Sequence, residues 1–172
     1  MALVAKIPEE AAITIAVGEK IPAGKLKTMT AEGPKDISTE EIFAGKKVVL
    51  FAVPGAFTPT CSAKHLPGFV EKAAEIKGKG VDTIACLAVN DAFVMGAWGK
   101  AQNTDGKVLM LADGAAAFTK QLGLDLDLTG PGMGVRSKRY AMVVDNGVVK
   151  ALSVEAPGAF EVSSADAILR AL

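Results

Sequence analysis

The run Lys46-Lys-Val-Val-Leu-Phe-Ala-Val53 is apolar and β-branched without alternation, and it halts at Pro54-Gly55. A strand of that kind hides both faces, so it belongs inside a sheet covered by helices. The chain that follows supplies those helices. From about 60 to 79, Leu66, Phe69, Val70, Ala73 and Ile76 recur at helical spacing, and Gly78-Lys-Gly80 provides a stop. A second buried strand is predicted over 83–89 (TIACLAV). Asn90-Asp91 caps a helix over 92–102, a third strand covers 107–112, and a short helix covers 115–122.

Beyond this alternating part the pattern changes. Strands over 139–144 and 148–154 flank Asp145-Asn146-Gly147, a hairpin signal because Asn-Gly accepts the positive φ angles of a tight turn. Ser163 is expected to cap a last helix, with Asp166 in the capping-box position. Upstream, 26–30 reads as a strand, and Ser38 or Thr39 starts a short helix reaching Phe43. Residues 125–135 (DLDLTGPGMGV) read as a surface loop. A βαβ unit followed by a hairpin and a closing helix is the connectivity of a thioredoxin-like fold. The expectation is one α/β domain over residues 1–172, with a central mixed sheet flanked by helices.

Composition narrows the function by exclusion. With 19 Lys+Arg against 19 Asp+Glu in 172 residues, the chain has no net charge to draw it to nucleic acid or an anionic membrane. No apolar run approaches the roughly 20 residues of a spanning helix. The opening MALVAKIPEEAAITIAVGEKIP is broken by Lys6, Pro8, Glu9 and Glu10, so it does not read as a secretory signal. A soluble, cytoplasmic protein is expected. Two cysteines, Cys61 and Cys86, and one histidine build neither a disulfide scaffold nor a usual structural zinc site.

The chemistry gathers where the first buried strand feeds its helix, at Val53-Pro-Gly-Ala-Phe-Thr-Pro-Thr-Cys-Ser62. Two prolines and a glycine set an unusual backbone path that delivers Cys61 to the first turn of the helix. Unpaired N–H groups and the positive dipole end there favour a thiolate, the nucleophilic form of cysteine. A thiolate that attacks an O–O bond becomes sulfenic acid, and donors must hold the peroxide in line and stabilise the leaving oxygen. Thr58, three residues before Cys61, is one such donor. Arg136 and Arg139 are candidate cations; in an extended segment Arg139 and Lys138 would face opposite ways.

At these residues the sequence resembles a known family. Pro54, Thr58 and Cys61 form the P-x-x-x-T-x-x-C motif of peroxiredoxins. The stretches CSAKHLPGF (61–69), VNDAFVMGAW (89–98) and RSKRY (136–140) are similar to the type II, or peroxiredoxin-5-like, subfamily, and the resemblance spans about 18–154. It implies a thioredoxin-like fold that reduces hydrogen peroxide and organic hydroperoxides without metal, flavin or other cofactor. It also implies that Cys61 is the peroxidatic cysteine, that Thr58 and Arg139 activate it, and that Pro54 shields it. It selects Arg139 over Arg136. Members are often homodimers, and Phe57, Phe93 and Trp98 are large apolar residues for such a surface or for the core.

Three questions stay open in the sequence. Cys86, inside TIACLAV, is either an inert core thiol or a resolving cysteine for Cys61; otherwise an external thiol, glutathione with glutaredoxin or thioredoxin, closes the cycle. His65, four residues after Cys61, raises a Cys–His hydrolase reading, but nothing near it in sequence orients the imidazole, and it reads as a supporting residue. A redox-sensing or chaperone-like role is the non-enzymatic alternative. Thr58-Pro-Thr-Cys61 also resembles a thioredoxin C-x-x-C site whose first cysteine is replaced, which removes the dithiol needed for disulfide exchange.

Overall fold

In the computed structural model, which describes residues 14–172, strand β3 (Lys47–Val53) is buried at six of its seven positions. The reading of the N-terminal segment as no secretory signal falls largely on residues 1–13, outside the described residues. β3 pairs in parallel with β4 (Thr83–Ala88) and antiparallel with β8 (Tyr140–Asp145). The full sheet has seven strands in the order β2 (Gly33–Ser38), β1 (Lys25–Thr30), β5 (Leu109–Ala112), β4, β3, β8 and β9 (Val148–Val154). It is a mixed sheet with helices on both faces, as the thioredoxin-like reading expects.

The alternation of side chains along each buried strand divides the core into two layers. Val49, Phe51 and Val53 of β3, with Ile84 and Cys86 of β4, face α2 (Leu66–Glu71), α3 (Ala73–Lys77), α4 (Ala92–Ala101) and α6 (Ala165–Ala171). Val48, Leu50 and Ala52 face α1 (Thr39–Phe43) and α5 (Ala117–Leu122) through Ile42, Phe43, Phe118 and Leu122. Phe51 stacks on Phe69 with ring centroids 4.0 Å apart, so Phe51→Ala would cost about 3–5 kcal/mol through lost contact and the cavity left behind. Trp98, weighed for a surface role, belongs to this core: it is fully buried and donates its indole N–H to Ser62 Oγ at 2.9 Å.

The expected helix over 60–79 is three pieces. Residues 61–65 form a wide π turn closed by Leu66 N–H donating to Cys61 O; α2 follows, and Lys72 (φ −96°, ψ 8°) separates it from α3. Pro67, which lacks an N–H, therefore falls in the first turn of a new segment, where no donor is required.

Two further expectations are corrected. Residues 125–135 are not a plain loop: β6 (Asp125–Leu128) pairs antiparallel with β7 (Gly134–Ser137) as a separate ribbon, with Gly132 in its turn and Gly134 at the start of β7 both at positive φ. Leu126 and Leu128 alternating with aspartates were the strand signal that the glycines masked. Ser164, not Ser163, caps α6 by accepting from Ala167 N–H, so Asp166 is not in a capping box. Ser163 is instead committed to Glu155. The hairpin stands as read, with Asp145 opposite Val148 and Asn146 and Gly147 at φ 50° and 82°.

Candidate active site

β3 ends at Val53, and the path from Pro54 to Thr58 brings the chain into the helix that holds Cys61. Gly55 is tightly packed there: a Cβ would lie 3.1 Å from Arg136 Nη1 and 3.2 Å from Thr58 Cγ2, so both side chains would have to shift by a few tenths of an ångström. Ala56 N–H donates to Asn90 Oδ1 at 2.9 Å, tying the turn to the end of β4. Phe57 sits at φ 64°, a left-handed conformation that bulky residues seldom adopt. Thr58 O accepts from Ser62 N–H at 2.9 Å, which makes Thr58 the residue that opens the helix.

Cys61 is fully buried, and two donors converge on its sulfur. Thr58 Oγ1 lies 2.9 Å from Sγ and Arg139 Nη2 lies 3.1 Å from it. The Thr58 hydroxyl is also 2.7 Å from Gly55 O, and it has one proton for two acceptors. With a thiolate present the proton goes to sulfur. With a thiol, the hydroxyl donates to Gly55 O and accepts from S–H.

Arg139 uses its other terminal nitrogen on His65, with Nη1 2.8 Å from Nδ1. His65 Nε2 lies 2.9 Å from Ser163 O, an acceptor only, so the imidazole proton is on Nε2 and the Nδ1 lone pair receives Arg139. Burial, joined by the Arg139 charge, pushes the His65 pKa down to about 3, so the ring is neutral. The partners that sequence proximity could not supply thus arrive from the β7–β8 connection and from the segment before α6. Phe160 completes the packing, its ring centroid 4.9 Å from that of His65 and 5.8 Å from the Arg139 guanidinium carbon.

Arg136 does not touch the sulfur: it donates to Met133 O at 2.9 Å and Val89 O at 3.4 Å, bracing the ribbon turn. The strand alternation expected of Lys138 and Arg139 does not apply, because residues 138–139 lie between β7 and β8 and not within a strand. Both residues line one cavity. That cavity, about 170 Å³, is also walled by Pro54, Thr60, Leu126 and the stretch from Glu155 to Ala159. Cys86 is fully buried on β4 between Phe51 and Met110, and burial, with Cys61 nearby, pushes its thiol pKa up. Glu155 was missed by sequence reasoning; a lone glutamate after a strand carries no local signal.

Comparison with known proteins identifies the family. Residues 16–169 match the Redoxin family model. The chain is 55% identical over 164 residues to "Peroxiredoxin-2E-2, chloroplastic" of Oryza sativa subsp. japonica, covering 92% of this chain and 73% of the relative. It is 52% identical over 159 residues to "Peroxiredoxin-2B" of Arabidopsis thaliana, covering 92% and 98%. The solved structure of reduced Prx3 in complex with H2O2 from Vibrio vulnificus superposes with a TM-score of 0.88 at 59% identity, covering 92% and 99%. A buried cysteine at a strand-to-helix turn, on this fold and with these relatives, places the chain in the Redoxin family as a type II, peroxiredoxin-5-like peroxiredoxin, a thiol-dependent peroxidase.

Proposed function

We propose that Cys61 is the peroxidatic cysteine, with Thr58 and Arg139 as its catalytic donors and Pro54 as the wall that shields it. The observation that carries this reading is the pair of donors, 2.9 and 3.1 Å away, on a sulfur with no solvent exposure. The thiolate attacks the terminal oxygen of a hydroperoxide. A sulfur–oxygen bond forms as the O–O bond breaks, and its electron pair leaves on the other oxygen, which takes up a proton as water or alcohol. Sulfur is oxidised to sulfenic acid and the peroxide is reduced. Thr58 and Arg139 stand where charge must be held on sulfur first and on the peroxide oxygens next, so removing either donor should cost about 10²–10³ in rate.

For the second half of the cycle we propose an external thiol, glutathione with glutaredoxin or thioredoxin. It attacks the sulfenic sulfur, releases water and leaves a mixed disulfide that a second thiol reduces. Cys86 is held on an interior strand paired on both sides by β3 and β5, so its backbone cannot shift toward Cys61 without breaking the sheet, which supports this over resolution by Cys86. Mass spectrometry of wild type and Cys86→Ser after one equivalent of peroxide tests it. Persistent sulfenic acid on Cys61 in both is expected, and a Cys61–Cys86 disulfide in wild type would overturn it.

We also propose a homodimer that covers Phe57 and Phe93, 56% and 67% exposed beside the site, and residence in the reducing cytoplasm. Sedimentation of wild type against Phe93→Asp checks the first. Cell fractionation checks the second.

A further inference from the structure

A closed ring of hydrogen bonds runs through four residues distant in sequence. Glu155 N–H donates to Arg139 O at 2.9 Å, which fixes the arginine backbone. The Glu155 carboxylate accepts from the backbone N–H of Glu161, Val162 and Ser163 and from Ser163 Oγ, at 2.7–2.9 Å. Those bonds fold residues 156–163 back so that Ser163 O meets His65 Nε2 at 2.9 Å. His65 Nδ1 then receives Arg139 Nη1 at 2.8 Å, and the ring closes with Nη2 pointing at Cys61 Sγ. Glu155 is 7% exposed, and Ser163 and His65 are fully buried.

We propose that Glu155 is a positioning residue for peroxide reduction, acting on Cys61 through Ser163, His65 and Arg139. The proposal rests on the reading of Cys61 as the nucleophile. A single residue holds both ends of the arginine: its backbone N–H holds the Arg139 backbone, and its carboxylate builds the turn whose carbonyl sets the imidazole tautomer. A tautomer with the proton on Nδ1 would turn an N–H toward the guanidinium and push it off the sulfur. Because a guanidinium fork is rigid, locking Nη1 also locks Nη2. The same turn places Phe160 against Arg139, and its residues 156–159 wall the cavity that Pro54 and Arg139 also line, so the device also shapes the approach of substrate.

The test uses the full chain and the fact that His65 is its one histidine, which makes the imidazole nitrogen signals unambiguous. Wild type should show a single tautomer protonated at Nε2. Glu155→Gln keeps the size of the side chain but removes the charge that gathers four donors; it should show exchange between tautomers and about tenfold slower oxidation of Cys61 by hydrogen peroxide, the scale of a small misplacement at a reacting centre. In an Arg139→Lys background, which lacks the fork, the same change should have no further effect on rate. Glu155→Gln with the wild-type tautomer and rate would overturn the proposal, and so would a loss that multiplies with that of Arg139→Lys. Should Glu155→Gln not fold, the ring is read at His65. His65→Gln, whose amide can donate to Ser163 O and accept from Arg139, should recover most of the rate lost in His65→Leu; equal rates in the two would overturn the proposal. The imidazole signals need no peroxide, so failure of Cys61 as nucleophile, seen as turnover in Cys61→Ser, is a separate result.

Discussion

Arg139 and His65 meet at 2.8 Å across 74 residues of sequence, a cation held by a neutral imidazole. The contact requires His65 to stay unprotonated, and burial ensures that by lowering its pKa to about 3 from the ordinary 6.5. The sign of the consequence follows. Between these values the unfolded chain binds a proton that the folded chain does not, so stability is lost as pH falls. Denaturation midpoints should therefore drop from pH 6.5 to pH 5, above the range where carboxylates titrate, with a slope approaching about 1.4 kcal/mol per pH unit. His65→Gln should flatten that window. Below it, Glu155 adds loss of the same sign. Burial opposes its charge, but the hydrogen bonds from residues 161–163 prevail and hold its carboxyl below the usual range.

Thr58 offers one proton to two acceptors, and the prediction separates its hydroxyl from its bulk. Thr58→Val should slow oxidation of Cys61 by about 10²–10³. Thr58→Ser should recover most of that rate. Stopped-flow kinetics with hydrogen peroxide reads both, and a fast Val variant would remove the hydroxyl from the chemistry.

Cys86 should be silent while the fold is intact. Both thiols are fully buried, but Cys86 sits on a strand paired on both sides and its pKa is raised by burial and by Cys61. Cys61 lies in the π turn, which opens to reagent before the sheet does. Under native conditions iodoacetamide should label Cys61 and leave Cys86 free, whereas both should react in denaturant. Peptide mapping of the labelled chain checks this.

The alternation of buried strands and helices was legible in the sequence, and so was the turn that delivers Cys61. KKVVLFAV announced its two buried faces, and Asn146-Gly147 announced its turn. What was hidden is tertiary. The ribbon of β6 and β7 hid behind Gly130, Gly132 and Gly134, whose turn propensity outweighed the alternation of Asp125-Leu-Asp-Leu128. Ser163 looked like a helix cap because no local pattern reveals that Glu155 has already claimed it. Periodicity could not show that residues 138–139 leave the strand, so that alternation does not decide where Arg139 and Lys138 point.

The hairpin supplies a control for stability without chemistry. Its turn lies at the Lys47–Asp145 end of the sheet, opposite the end where Ala52 pairs with Tyr140 beside the site. Gly147 has φ 82°, so Gly147→Ala should cost about 1–2 kcal/mol. The rate of Cys61 oxidation in the folded fraction should be unchanged.

The most direct test of the central claim is rapid-mixing oxidation of Cys61 with low-micromolar hydrogen peroxide, quenched and resolved by mass. The expected result is stoichiometric oxidation confined to Cys61 within seconds, and no peroxide consumption by Cys61→Ser. Normal peroxide turnover by Cys61→Ser, or oxidation that begins on Cys86, would contradict it.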